Sequence, residues 1–174
     1  MQIKGETSVN KLILLFVFDK MESPLSERTI IDMCSLSNDW IHYMDCMVLI
    51  HKLISDGFIC EIPSSDDPLY IITPEGRETL ANFYINIPQS RREEISRFVK
   101  NNSAKFRRRQ DCKADYFQNK DGTYTVFLKI LAPVQPMLEL KFVVPDKKTA
   151  NMIFKKWEDK ASELYSAVYE TLVD

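Results

Sequence analysis

Four cysteines, two histidines and a run of arginines are the side chains in this 174-residue chain whose chemistry bears testing first. Cys34, Cys46, Cys60 and Cys112 stand far apart with no CxxC pair, whereas zinc ligands come in closely spaced pairs. Only His42 and Cys46, four positions apart, can share a helix face. The spacing therefore predicts no metal centre and no cofactor, and the thiols read as small buried hydrophobes. His51 reads as a core residue of the same helix. The dinucleotide, P-loop, nucleophile-elbow and zinc-protease patterns are all missing. Carboxylates are scattered over hydrophilic faces, so no acid–base pair stands out and an enzyme is not expected.

The cations are more informative. Residues 1–87 carry a charge of −7, residues 88–113 carry +6 and residues 114–174 carry −1. The positive block is RREEISRFVKNNSAKFRRRQ, in which Ile95, Phe98, Val99 and Phe106 mark an apolar helix face. Arg91, Arg92, Arg97, Lys100, Lys105 and the Arg107-Arg108-Arg109 triplet surround it. Such a helix either holds phosphates or spends its arginines on the acidic front of the chain. Three adjacent cations at 107–109 are hard to satisfy internally and favour the first use.

Elements that position these residues follow from periodicity and caps. Val9 to Met21 is broadly apolar at helical spacing and ends at Ser23-Pro24. Ser26 caps a short helix through Met33, and Ser35 to Asp39 forms a turn. A third helix is predicted from Asp39 to Ser55, with Trp40, Tyr43, Met47, Ile50 and Ile54 as its apolar stripe and Gly57 as its cap. Two strands, Phe58–Ile62 and Leu69–Ile72, flank the polar turn between Pro63 and Pro68. Thr73-Pro74-Glu75 then opens a helix, and Gly76 leaves room for close packing on a neighbour.

The second half reads with period two. Lys113–Gln118, Tyr124–Ile130 and Leu138–Val144 are strands, the first two joined by the turn at Asn119 to Gly122 and the last two by Pro133 to Pro136. Asp146 caps a long helix whose stripe is Ala150, Ile153, Trp157, Ala161, Leu164, Val168 and Leu172. One face of a three-stranded sheet lies under this helix, and Phe127 and Val143 mark the other face as partly open. No run reaches the roughly 18 apolar residues of a membrane helix and no signal peptide is apparent, which predicts a cytoplasmic protein without a membrane partner.

The stretch LISDGFICE followed eight residues later by YIITPEGRETLANF resembles bacterial winged-helix regulators, especially PadR-like ones. It is more similar still to an uncharacterised bacterial family described only as winged-helix regulatory proteins. The resemblance covers about residues 8–85. It implies an N-terminal winged helix-turn-helix domain over 1–86; charge and periodicity add a basic connecting helix over 87–110 and a C-terminal three-stranded antiparallel sheet with a long terminal helix over 111–174, so the chain is expected to be α+β. The resemblance also implies a transcriptional regulator acting on double-stranded DNA as a homodimer, with the third helix in the major groove. On this chain the positions so implied are Asn38, Asp39, His42, Asp45 and Leu49; the basic segment adds Arg91, Arg92, Arg107, Arg108 and Arg109 as the expected phosphate contacts.

The local charge points the other way. The third helix has no basic residue before Lys52, and the hairpin tip carries Asp66 and Asp67 where phosphate would lie. A winged-helix module that holds a protein partner, or senses an effector, instead of DNA is therefore the alternative expectation.

Overall fold

The computed structural model describes residues 3–64, 66–132 and 135–173. Ser65 of the expected turn, and Pro133 and Val134 of the expected connection, lie outside them. Helices and antiparallel sheets mix in two compact units, residues 1–106 and 107–174, and the division falls inside a helix.

The first unit opens with α1, Ile3–Met21, whose residues Leu12 to Phe18 are all buried. A helix that is apolar all round has to run through the middle of its core. Next come β1 (Leu25–Ser26) and α2 (Glu27–Ile31), where the Ser26 hydroxyl accepts the Thr29 amide at 3.2 Å, as its position before the helix implied. Helix α2 then widens into a π-helical turn over Asp32–Leu36, in which the Ser37 amide reaches back to the Asp32 carbonyl.

The expected start of the third helix is corrected. Asp39 sits in the left-handed region at φ 52°, and the Trp40 and Ile41 amides both bond to the Cys34 carbonyl. Trp40 and Ile41 are therefore buried by a turn, and α3 runs Tyr43–Ser55. Its inward face is Cys46, Leu49, Ile50 and Leu53. Tyr43, assigned to the stripe, lies largely outside.

Strands β2 (Ile59–Ile62) and β3 (Leu69–Ile72) pair antiparallel, and β1 joins the far edge of β3, giving the order β1-β3-β2. The corner into α4 (Pro74–Phe83) is built as its residues suggest: Thr73 Oγ1 accepts the Gly76 amide and donates to the Gly57 carbonyl. Gly57 holds a left-handed φ of 77°. A short 3-10 turn, Tyr84–Asn86, leads to α5, Gln89–Asp111. Ile95, Val99 and Phe106 of α5 are buried in the first unit and Phe98 packs against them.

The second unit is β4 (Cys112–Gln118), β5 (Tyr124–Ile130), β6 (Leu138–Val144) and α6 (Lys147–Val173), in sheet order β4-β5-β6. Val126, Leu128 and Val144 meet Ala150, Trp157 and Ala161 of α6, and the Trp157 indole donates to the Lys129 carbonyl at 3.2 Å. Gly122 takes φ 86° in the hairpin, and Asp146 accepts the Thr149 amide at 2.9 Å. Leu172, expected in the stripe, is 78% exposed. The reason is length: at about 1.5 Å per residue α6 outruns seven-residue strands.

Candidate functional site

The outer face of α3 is where the expected interface meets the structure. A helix that turns Cys46, Leu49, Ile50 and Leu53 inward must present Met44, Asp45, Val48 and Lys52 to solvent. Met44 is 59% exposed, Val48 62% and Tyr43 43%, and nearby Leu36, at the end of the π-helical turn, is 69% exposed. Isolated exposed apolar residues need no explanation, but four on adjoining turns form a patch.

Beside this patch runs a groove of about 690 Å³ between α2, the π-helical turn, α3 and the β2–β3 turn. Leu36, Tyr43 and Met47 are among its apolar lining, and Glu27, Asp32 and Asp67 line it with carboxylates beside the cation Arg28. Asp45 adds a further carboxylate on the exposed face of α3.

Each expected contact residue has a definite place. Asn38 is half-buried and donates its side-chain amide to the Met33 carbonyl at 2.8 Å, so it braces the turn. Asp39, His42 and Asp45 are exposed on the approach to α3 and in its first turn. Leu49 is corrected: at 3% exposure it belongs to the core and not to the outer face of α3. Its assignment outward came from counting the helix from Asp39, which put the stripe out of phase. His51 is also corrected, because it is exposed, with Nε2 at 3.6 Å from Glu27 Oε1.

The arginines are substantially engaged within the protein. Arg91 pairs with Glu94 at 2.9 Å, and the other oxygen of Glu94 accepts the Trp40 indole N–H at 2.9 Å. Arg92 stacks 4.3 Å from the centroid of Tyr84. In the second unit Arg109 reaches Glu158 at 3.3 Å, while the side chains of Arg107 and Arg108 are exposed. Arg97, Lys100 and Lys105 are exposed along α5. Trp40 also meets Phe98 edge-on at 5.4 Å, so α5 packs beside the segment that leads into α3.

Cys34 and Cys46 fit the reading of thiols as buried hydrophobes; Cys60 corrects it, being exposed on β2, and Cys112 is half-buried. Cys34 and Cys46 are buried against each other, and their hydrogen bond raises the Cys34 thiol well above its ordinary value, with full burial adding to the rise, while the same bond lowers the Cys46 thiol. Burial raises Cys112 as well. Among the described residues no three His, Cys, Asp or Glu side chains group as metal ligands would. No helix among them is long and apolar enough to cross a membrane.

The second unit offers another open surface. Phe117 and Phe127 lie 5.5 Å apart on the sheet face away from α6, Lys141 sits over Phe127, and Val143 is exposed. Residues 10–172, nearly the whole chain, match the family described as Domain of unknown function (DUF4364). The chain belongs to that family. No curated protein and no solved structure matches it. Membership in DUF4364 assigns no chemistry, so function rests on the surfaces just described.

Proposed function

We propose that the first unit is a winged helix-turn-helix domain of a non-enzymatic, cytoplasmic regulatory protein, and that its third helix docks a protein partner instead of duplex DNA. The domain reading is supported by the order α1-β1-α2-α3-β2-β3 and the sheet order β1-β3-β2, together with the PadR-like corner at Thr73 to Arg77. The cytoplasmic reading is supported by four free cysteines. One observation carries the choice of partner: the exposed face of α3 is apolar at Tyr43, Met44 and Val48, and around it the carboxylates of Glu27, Asp32, Asp45 and Asp67 outnumber the cations Arg28 and Lys52. Duplex affinity comes largely from cations that release counterions from phosphates, and carboxylates at the same place repel them.

A second reading, a dimeric DNA-binding regulator, is favoured by the exposed Arg97, Lys100 and Lys105 on a helix that packs against Trp40. Arg107 and Arg108 belong to that reading as phosphate contacts. A mobility shift with random-sequence duplex separates the two, provided the oligomeric state of the protein is measured in the same buffer. Docking on protein predicts no shift even at low salt. A shift that survives physiological salt and disappears in the triple variant Arg107→Ala, Arg108→Ala, Arg109→Ala would establish the DNA reading in its place.

A further inference from the structure

Resting on the protein-docking reading, we propose that the groove between α2, α3 and the β2–β3 turn takes a short cationic amphipathic helix from its partner. Tyr43 and Met47, and Met44 and Val48, are pairs four residues apart, so each pair forms a ridge along α3. The first pair lines the groove and the second forms its exposed shoulder. A partner helix meets such ridges with apolar side chains at i, i+3 or i+4, and i+7. Met44 and Met47 are unbranched and flexible, which suits a surface that closes around projecting side chains.

Charge selects the partner's polar flank. Among the described residues Glu27, Asp32 and Asp67 border the groove with Arg28, and Asp45 and Lys52 stand on the exposed face of α3, so carboxylates outnumber cations there. Within a Debye length of about 8 Å at physiological salt these carboxylates attract Lys and Arg and disfavour acidic helices, anionic lipid and nucleic acid. The carboxylate border and the apolar ridges therefore ask for the same ligand, a helix with leucine-like anchors on one face and cations beside them.

The test uses the full chain and a labelled synthetic 14-residue peptide of leucine and lysine, leucines at helical spacing, read by fluorescence anisotropy. Saturable binding is expected, with no binding of the matching leucine–glutamate peptide. Val48→Asp, and separately the pair Glu27→Gln with Asp67→Asn, should each weaken binding about tenfold or more. Glu78→Gln, at an exposed position of α4, should leave it unchanged, and circular dichroism checks that every variant folds. No saturable binding, or binding indifferent to Val48→Asp, overturns the partner chemistry. A change of oligomeric state in the groove variants overturns it too, because a second copy would then be the occupant. A random-duplex shift that Val48→Asp abolishes overturns the docking reading beneath it, which separates the two failures.

Discussion

Replacing Gly76 by alanine probes the corner between β3 and α4, which packs on the start of β2 at the end of the hairpin away from its turn. A Cβ at this position would lie 2.1 Å from the Phe58 carbonyl oxygen, 3.0 Å from its carbonyl carbon and 2.9 Å from Ile72 Cγ1. The nearest obstacle is backbone, so α4 or β2 has to move. Overpacking of this kind costs about 1–3 kcal/mol. The same Phe58 oxygen accepts the Thr73 amide at 3.0 Å, and displacing it forfeits about another 1 kcal/mol. Alanine returns up to about 1 kcal/mol through its better helix propensity. The net prediction is a loss of about 1–3 kcal/mol, which for a unit of this size lowers the midpoint by roughly 5–20 °C. The assay is thermal unfolding followed by tryptophan fluorescence in a Trp157→Phe background, where Trp40 alone reports on the first unit. A neutral or stabilising Gly76→Ala would refute the close approach and the corner built on it.

Three further outcomes follow from the same geometry. Leu49→Ala should destabilise the first unit by about 2–4 kcal/mol in urea unfolding, whereas Val48→Ala, one residue along and exposed, should stay within about 0.5 kcal/mol. Glu94→Ala strips the buried Trp40 indole of its acceptor and Arg91 of its partner; a loss of about 1–2 kcal/mol and a shifted Trp40 emission are expected. Hydrogen bonds from Thr149, backbone and side chain, lower the Asp146 pKa, so its contribution is full above the unfolded value of about 3.9 and fades as pH falls through the lower folded value. Asp146→Asn should therefore melt below the parent at pH 7, converge with it in acid and show a flatter acid limb in a pH series of unfolding midpoints.

Much of the fold was legible because caps and alternation are local signals. Thr73 with Gly76, Ser26 with Thr29, Asp146 with Thr149 and the glycines at 57 and 122 act within a few residues of themselves. Strands β5 and β6 were legible by their alternation, since Val126, Leu128 and Val144 turn to α6; β4 carries a weaker pattern. What escaped is what distant partners decide. Strand β1 is two residues long and exists only because β3 pairs with it. The π-helical turn and the left-handed Asp39 delay α3, and nothing in the apolar spacing before Tyr43 distinguishes a helix from a buried turn.

The candidate site suffered from the same phase error. Counting from Asp39 turned Leu49 outward and His51 inward, when the structure does the reverse. The exposed ridge of Met44 and Val48 was missed for that reason, although anchoring the helix on Leu49, Ile50 and Leu53 would have revealed it. The arginines show a similar limit. Arg91 pairs three residues away with Glu94, within reach of a local reading, but Arg109 finds Glu158 from 49 positions off.

Hydroxyl-radical footprinting of Tyr43 and Met44 in the full chain puts the central claim to the shortest trial, since both side chains are exposed and react readily. Docking of a cationic amphipathic helix on α3 predicts that the leucine–lysine peptide protects both residues and that random duplex, at matched low salt, protects neither. Protection by the duplex with none from the peptide would contradict it.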